Sequence, residues 1–219
     1  MNLNLFMKPY LKSLFLIVIL SATRFIANAQ KLPNVQASNL RAPANTKIDG
    51  NTTEWSPFQA NNHATDINYT LANDNENLYL AAQAIFPDVI SRILNGGITV
   101  SVVTSGKKDD KGAPSVIDPV SAPGNKVSIN LRNKPTGNAA DSLMKVKNKA
   151  METKYKTVRT SGITGVDTLI SVYNTENIKV AERFDNNLYY NYELAIPLKY
   201  LGITANNAAK FAYHIQINE

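Results

Sequence analysis

A chain of 219 residues, 44% hydrophobic and 18% charged, has the make-up of one globular domain able to bury its own core, not of a disordered tail. It contains no cysteine, which excludes disulfides, thiolate metal sites and lipid attachment at a cysteine. Its formal charge of +6 owes three basic groups to Lys8, Lys12 and Arg24, so residues 30–219 carry only +3; with no basic stripe interleaved with aromatics, nucleic acid is set aside as a partner.

Lys8 and Lys12 lead into the uncharged run LFLIVIL at residues 14–20. That run is shorter than the ~20 apolar residues a membrane-spanning helix needs. Ala27-Asn28-Ala29 then supplies the small-x-small pattern of a signal-peptidase site. Residues 1–29 are therefore expected to be a signal peptide cleaved near Ala29/Gln30, giving a secreted or periplasmic protein with no membrane span after cleavage. An uncleaved N-terminal anchor is the alternative reading.

Residues 30–46 are polar, Pro-containing and aperiodic, and read as a linker or an extended lead-in strand. The domain proper is expected over 47–219. Alternation predicts strands at 67–71 and 77–86, joined through Asn73-Asp74-Asn75-Glu76 as a hairpin. Pro87-Asp88 opens a short amphipathic helix through Val89, Ile90, Ile93 and Leu94, which Gly96-Gly97 ends, and a strand follows at 98–103. Residues 104–160 turn polar and read as an elaborated insertion with one weak strand at 126–131 and a helix from Ala140 to about Tyr155. Strand signals return at 168–173, 178–184, 188–196 and 211–218, with a tight turn at Asp185-Asn186-Asn187. The chain ends at Glu219 with no turn or cap after the last strand, so the C-terminus is read as one that further strands could follow.

Period 2 sorts the faces. Leu188, Tyr190, Tyr192, Leu194 and Ile196 are expected in the core, with Tyr189, Asn191 and Glu193 on the opposite, outward side. Phe211, Tyr213, Ile215 and Ile217 likewise separate from His214 and Gln216. The fold class this predicts is all-β: an antiparallel β-sandwich, immunoglobulin-like or jelly-roll, with one or two short helices in its connections.

Three segments together resemble carbohydrate-binding module family 9, a group of exported, DOMON-like β-sandwich domains. Ile48-Asp49-Gly50 with Glu54-Trp55 is similar to the family's opening motif. Asn73-Asp74 running into Asn77-Leu78-Tyr79-Leu80 is similar to its strand-turn-strand, and Tyr192-Glu193-Leu194-Ala195-Ile196-Pro197-Leu198 to its late strand. The resemblance covers most of 47–219 apart from 104–160. It implies the sandwich, sugar binding and, in some members, structural calcium.

Sugar platforms pair an aromatic face with directed polar groups, which makes Trp55, Tyr189, Asn191, Glu193 and His214 the candidate ligand contacts. Each has a plainer reading. Trp55 is expected as a core plug beside a turn, and Glu193 as half of a cross-strand ion pair with Lys179 or Arg183. His214 is expected simply to face solvent, and with His63 as the one other histidine it makes no nitrogen-rich metal cluster. Asp49, Glu54, Asp74 and Glu76 leave Ca2+ open as a cofactor, though Asp74 and Glu76 also suit a turn. No G-x-S-x-G, P-loop, H-E-x-x-H or dinucleotide motif occurs, so the domain is read as non-catalytic. Its expected partner is a carbohydrate or another small ligand. The rival readings are a cell-envelope scaffold that binds proteins through the same fold, and an accessory domain of a polysaccharide-degrading system.

Overall fold

In the computed structural model, residues 31–104, 111–120, 124–204 and 210–218 are described. Pro33–Glu219 forms one compact unit. The expected leader and its cleavage site lie outside the described residues.

Two antiparallel five-stranded sheets make an all-β sandwich. In the first, the spatial order is β1 (Ala60–Asn62), β2 (Ile67–Asn73), β3 (Asn77–Ala84), β9 (Tyr190–Pro197), β8 (Lys179–Phe184). In the second it is β10 (Phe211–Ile217), β4 (Ile98–Thr104), β5 (Ser115–Val120), β6 (Thr157–Ser161), β7 (Leu169–Ser171). Helices α1 (Pro87–Gly96) and α2 (Asn138–Lys154) lie in the connections.

The β2–β3 hairpin forms where the sequence places it. Asp74 Oδ1 accepts the N–H groups of Glu76 and Asn77, both at 2.7 Å, and so closes the turn. Helix α1 starts on Pro87, whose missing N–H costs nothing in a first turn. It buries Val89, Ile90, Ile93 and Leu94. Gly97 ends it at φ 83°, and a Cβ there would sit 2.7 Å from the Pro119 carbonyl oxygen, so the position needs glycine twice over.

The segment read as an insertion differs from expectation. It supplies two central strands of the second sheet, β5 and β6, in addition to the expected helix. The strand β5 was hidden by Asp118-Pro119, which reads as a turn; a register shift between Ile117 and Val120 accommodates the proline, which has no N–H to give the ladder. Residues 126–131 form no strand. Val127 and Leu131 are nonetheless buried, and Tyr155 Oη accepts the Val127 N–H at 3.3 Å in place of a ladder partner.

The lead-in is extended and laid along the free stretch of β2 that the short β1 leaves open. The Gln36 amide stands in for a strand residue, donating to Leu71 O at 2.7 Å and accepting from Leu71 N at 2.8 Å. Leu40 and Ala42 continue the pairing against Asn73.

Between the sheets lies the main core, in which Phe184, Leu188, Tyr190 and Tyr192 are fully buried. The far side of the first sheet is also covered. Trp55, Ala72, Tyr79, Ala81 and Ala195 form a second apolar cluster there, packed on by Leu40, Ala42, Ile48 and Phe58. Strand β9 is consequently buried on both faces, where alternation predicts one face toward solvent.

Candidate functional site

The covering segment is fastened by one carboxylate. Asp49 Oδ1 accepts the Asn51 N–H at 2.9 Å, and Asn51 caps a single 3-10 turn, Thr52–Trp55. This tight path aims three donors at Glu193 on β9. Glu193 Oε2 accepts from Asp49 N at 2.9 Å and Gly50 N at 2.7 Å, while Oε1 accepts from Trp55 Nε1 at 2.7 Å. Burial pushes the Glu193 carboxyl up to about 7, against the pull of the Trp55, Asp49 and Gly50 bonds toward the charged form.

The expected contact residues therefore do not make one exposed surface. Glu193 is fully buried, and Asn191 and Trp55 are 4% exposed. Across the ladder Glu193 faces Ala181, while Lys179 and Arg183 pair with Ala195 and Asn191, so the expected ion pair is replaced by bonds to the covering segment. Asn191 Oδ1 accepts from Thr52 Oγ1 at 3.0 Å and Gln83 Nε2 at 2.9 Å. Tyr189 is half-exposed, with the Lys134 ammonium 4.3 Å from its ring centroid. His214 is exposed on β10, in the other sheet. Of the plainer readings, the core plug describes Trp55, which also packs 5.8 Å from the Tyr79 ring.

A second acidic arrangement had no signal in the sequence. Asp118 on β5 and Glu182 on β8 point into the sandwich from opposite sheets and meet. Asp118 is fully buried, and among the described residues neither of its carboxyl oxygens has an N–H or O–H donor. Two acids meeting without a donor cannot both ionise cheaply: burial, then the Glu182 charge and its bond, hold the Asp118 carboxyl well above the usual range. The hydroxyls of Tyr190 and Tyr192, also without partners among the described residues, feel both charges. Glu182 lines a cleft of about 510 Å3.

A groove of about 1040 Å3 lies at the end of the first sheet. Ile48 lines it from the first of the three resemblance segments, Asn77 and Tyr79 from the second, and Ala195 and Leu198 from the third. Segments far apart in sequence thus converge because β3 pairs with β9, setting Tyr79 opposite Ala195, and because Ile48 packs on that same cluster. Asn75, Asn177 and Thr204 add polar groups at its exposed rim.

Among the described residues, no group of three or more His, Cys, Asp or Glu side chains is gathered in a form that could hold a metal ion. Asp49 and Asp74 direct oxygens at turn N–H groups, and Asp74 Oδ2 also accepts the Tyr79 hydroxyl at 2.7 Å. Among the described residues no helix is long and apolar enough to cross a membrane. No family model matches the chain, and no curated protein matches it in sequence.

Proposed function

We propose that the protein is an exported, non-catalytic binding domain whose ligand is a carbohydrate held in the groove at the end of the first sheet. The observation that carries this is the convergence on one groove of all three segments on which the resemblance to family 9 carbohydrate-binding modules rests. The chemistry suits a sugar. Ile48, Ala195 and Leu198 give an apolar floor for C–H faces, while Asn75, Asn177 and Thr204 offer amides and a hydroxyl to ring hydroxyls. The role first expected of Glu193 and Trp55 becomes indirect: they hold the segment that forms one groove wall.

A thermal-shift screen of the purified protein against soluble glycans tests the reading, because a ligand that binds only the native state raises the melting temperature. A dose-dependent rise is expected with one glycan class and should weaken in Asn177→Gly, which keeps the backbone at φ 61° and removes the amide. No rise with any glycan at millimolar concentration would move the assignment to the protein-interaction scaffold.

A further inference from the structure

We infer, building on the carbohydrate reading of the groove, that its ligand is an acidic glycan, a polymer bearing carboxylate or sulfate groups. Three lysines line the groove: Lys47, Lys179 and Lys199. All three are exposed. They arrive from separate places in the chain. Lys47 immediately precedes the first groove segment, Lys179 opens β8 opposite Ala195 of the groove floor, and Lys199 follows the end of β9. This is not a run of like charges on one solvated turn but a convergence produced by the sheet.

Lysines outnumber acids in the groove lining three to one. Glu76 is the one acid among the described residues that line the groove, and among the described residues none of the three lysines has a carboxylate within ion-pair distance. Lys199 lies 4.7 Å from the centroid of the Tyr200 ring, a contact that orients the ammonium without neutralising it. The neighbouring cleft makes the contrast. There Asp49, Glu152 and Glu182 stand against Lys156 and Lys179, so acids outnumber lysines. Positive charge is a property of the larger groove, not of the whole surface around it.

A concave wall with an excess of one sign of charge concentrates counter-charged solutes. Lysine suits charges repeated along a flexible chain, because each ammonium is a point charge on a mobile stem that adapts to spacing instead of demanding one bidentate geometry. Amides beside the lysines would take the uncharged hydroxyls between acidic groups. A neutral glycan could accept hydrogen bonds from the three ammoniums but would leave them without counter-charge.

The test is calorimetric titration of the purified protein with three probes: a polyuronate, a sulfated glycosaminoglycan and a neutral glucan. The expected result is binding of an acidic probe at least about tenfold tighter than the neutral one, weakening severalfold as salt rises from about 50 to 300 mM. Lys179→Glu and Lys199→Glu should each lower acidic-glycan affinity about tenfold, while Lys156→Glu, outside this groove, should not. Preference for the polyuronate or for the sulfated chain identifies the anionic group. Salt-insensitive binding of the glucan as tight as that of the acidic probes would overturn the inference and leave carbohydrate binding standing. Silence with all three probes would overturn both. Acidic binding equally strong in Lys179→Glu and Lys199→Glu, or matched by inorganic polyphosphate, would reduce it to bulk charge attraction and overturn the inference alone.

Discussion

Glu193 holds Trp55 across 138 residues of chain through a single 2.7 Å bond from the indole N–H, and the same carboxyl takes two backbone N–H groups at Asp49 and Gly50. Three donors converge on one buried acceptor, so removing the acceptor strands all of them, and each stranded donor costs about 1–3 kcal/mol. Glu193→Ala should therefore lower unfolding free energy by about 3 kcal/mol or more in urea titrations. Trp55→Phe keeps most of the packing on Tyr79 and removes one charge-assisted bond, for a loss of about 1.5–3 kcal/mol. A loss below about 1 kcal/mol in Glu193→Ala would show that the covering segment is held by apolar packing alone.

Gly50 offers a sharper test of the same fastening. It adopts φ 79°, and a Cβ there would meet the Arg183 Cβ at 2.7 Å, whereas Gly112, at φ 69°, has nothing within 4 Å of the same added atom. Both alanine variants bear the backbone strain of about 1–2 kcal/mol. Gly50→Ala should lose clearly more than Gly112→Ala in the same denaturation assay, because Arg183 sits on a paired strand that cannot step aside. Equal losses would mean that the segment shifts outward freely.

The buried acids set a pH profile. Glu193 has its carboxyl raised to about 7; burial raises Asp118, helped by the Glu182 charge, and raises Glu182 against the pull of its bond with Asp118 and the Lys156 charge. An acid whose folded value exceeds its unfolded value binds its proton more tightly in the folded state, so its stabilising share is complete below the unfolded value, about 4.5 for glutamate, and is lost as pH rises toward about 7. The melting temperature should fall from about pH 5 to about pH 7.5. Asp118→Asn removes one member of the pair and should flatten that fall. A melting temperature that rises over this range would contradict the assignment of these groups as raised.

Asp74 works in the opposite direction. Burial alone would raise its carboxyl, but bonds from the Tyr79 hydroxyl and the N–H groups of Asn77 and Glu76, with the Arg41 charge, outweigh it and hold the group below the ordinary 3.8. Its stabilisation is present above 3.8 and is lost as pH falls through the lowered value. Asp74→Ala should cost about 1–2 kcal/mol at neutral pH and progressively less as pH falls below 3.8, as read from parallel denaturation curves.

What the sequence made legible follows from how local the cause is. The β2–β3 hairpin, α1 and the β8–β9 turn each rest on a few neighbouring residues, such as Asp74, Pro87 with Gly97, and Asp185, and each was readable. Strand β5 was not, because its pairing tolerates a proline through a register shift that exists only in the presence of its partners. The alternation of β9 correctly placed Tyr190 and Tyr192 inward, yet it could not reveal that Glu193 is covered too, since the cover comes from a segment more than a hundred residues earlier. Asp118 and Glu182 gave no signal for the same reason: neither residue's neighbours in the chain announce an acid on the opposite sheet. The groove is a middle case, its three wall segments recognisable singly and their meeting visible only once β3 and β9 are paired.

The fastening of the covering segment also imposes an order of events on folding. Residues 49–55 leave the ribosome well before the carboxylate that receives them, which is at position 193 in β9, 138 residues after Trp55. Closing so long a loop is entropically slow, and its reward comes only with the final contact. Until β9 has docked against β3, Trp55 has no acceptor for its indole and the outer face of the first sheet stays wet. Residues 49–55 can take their native place only after β9 has been made.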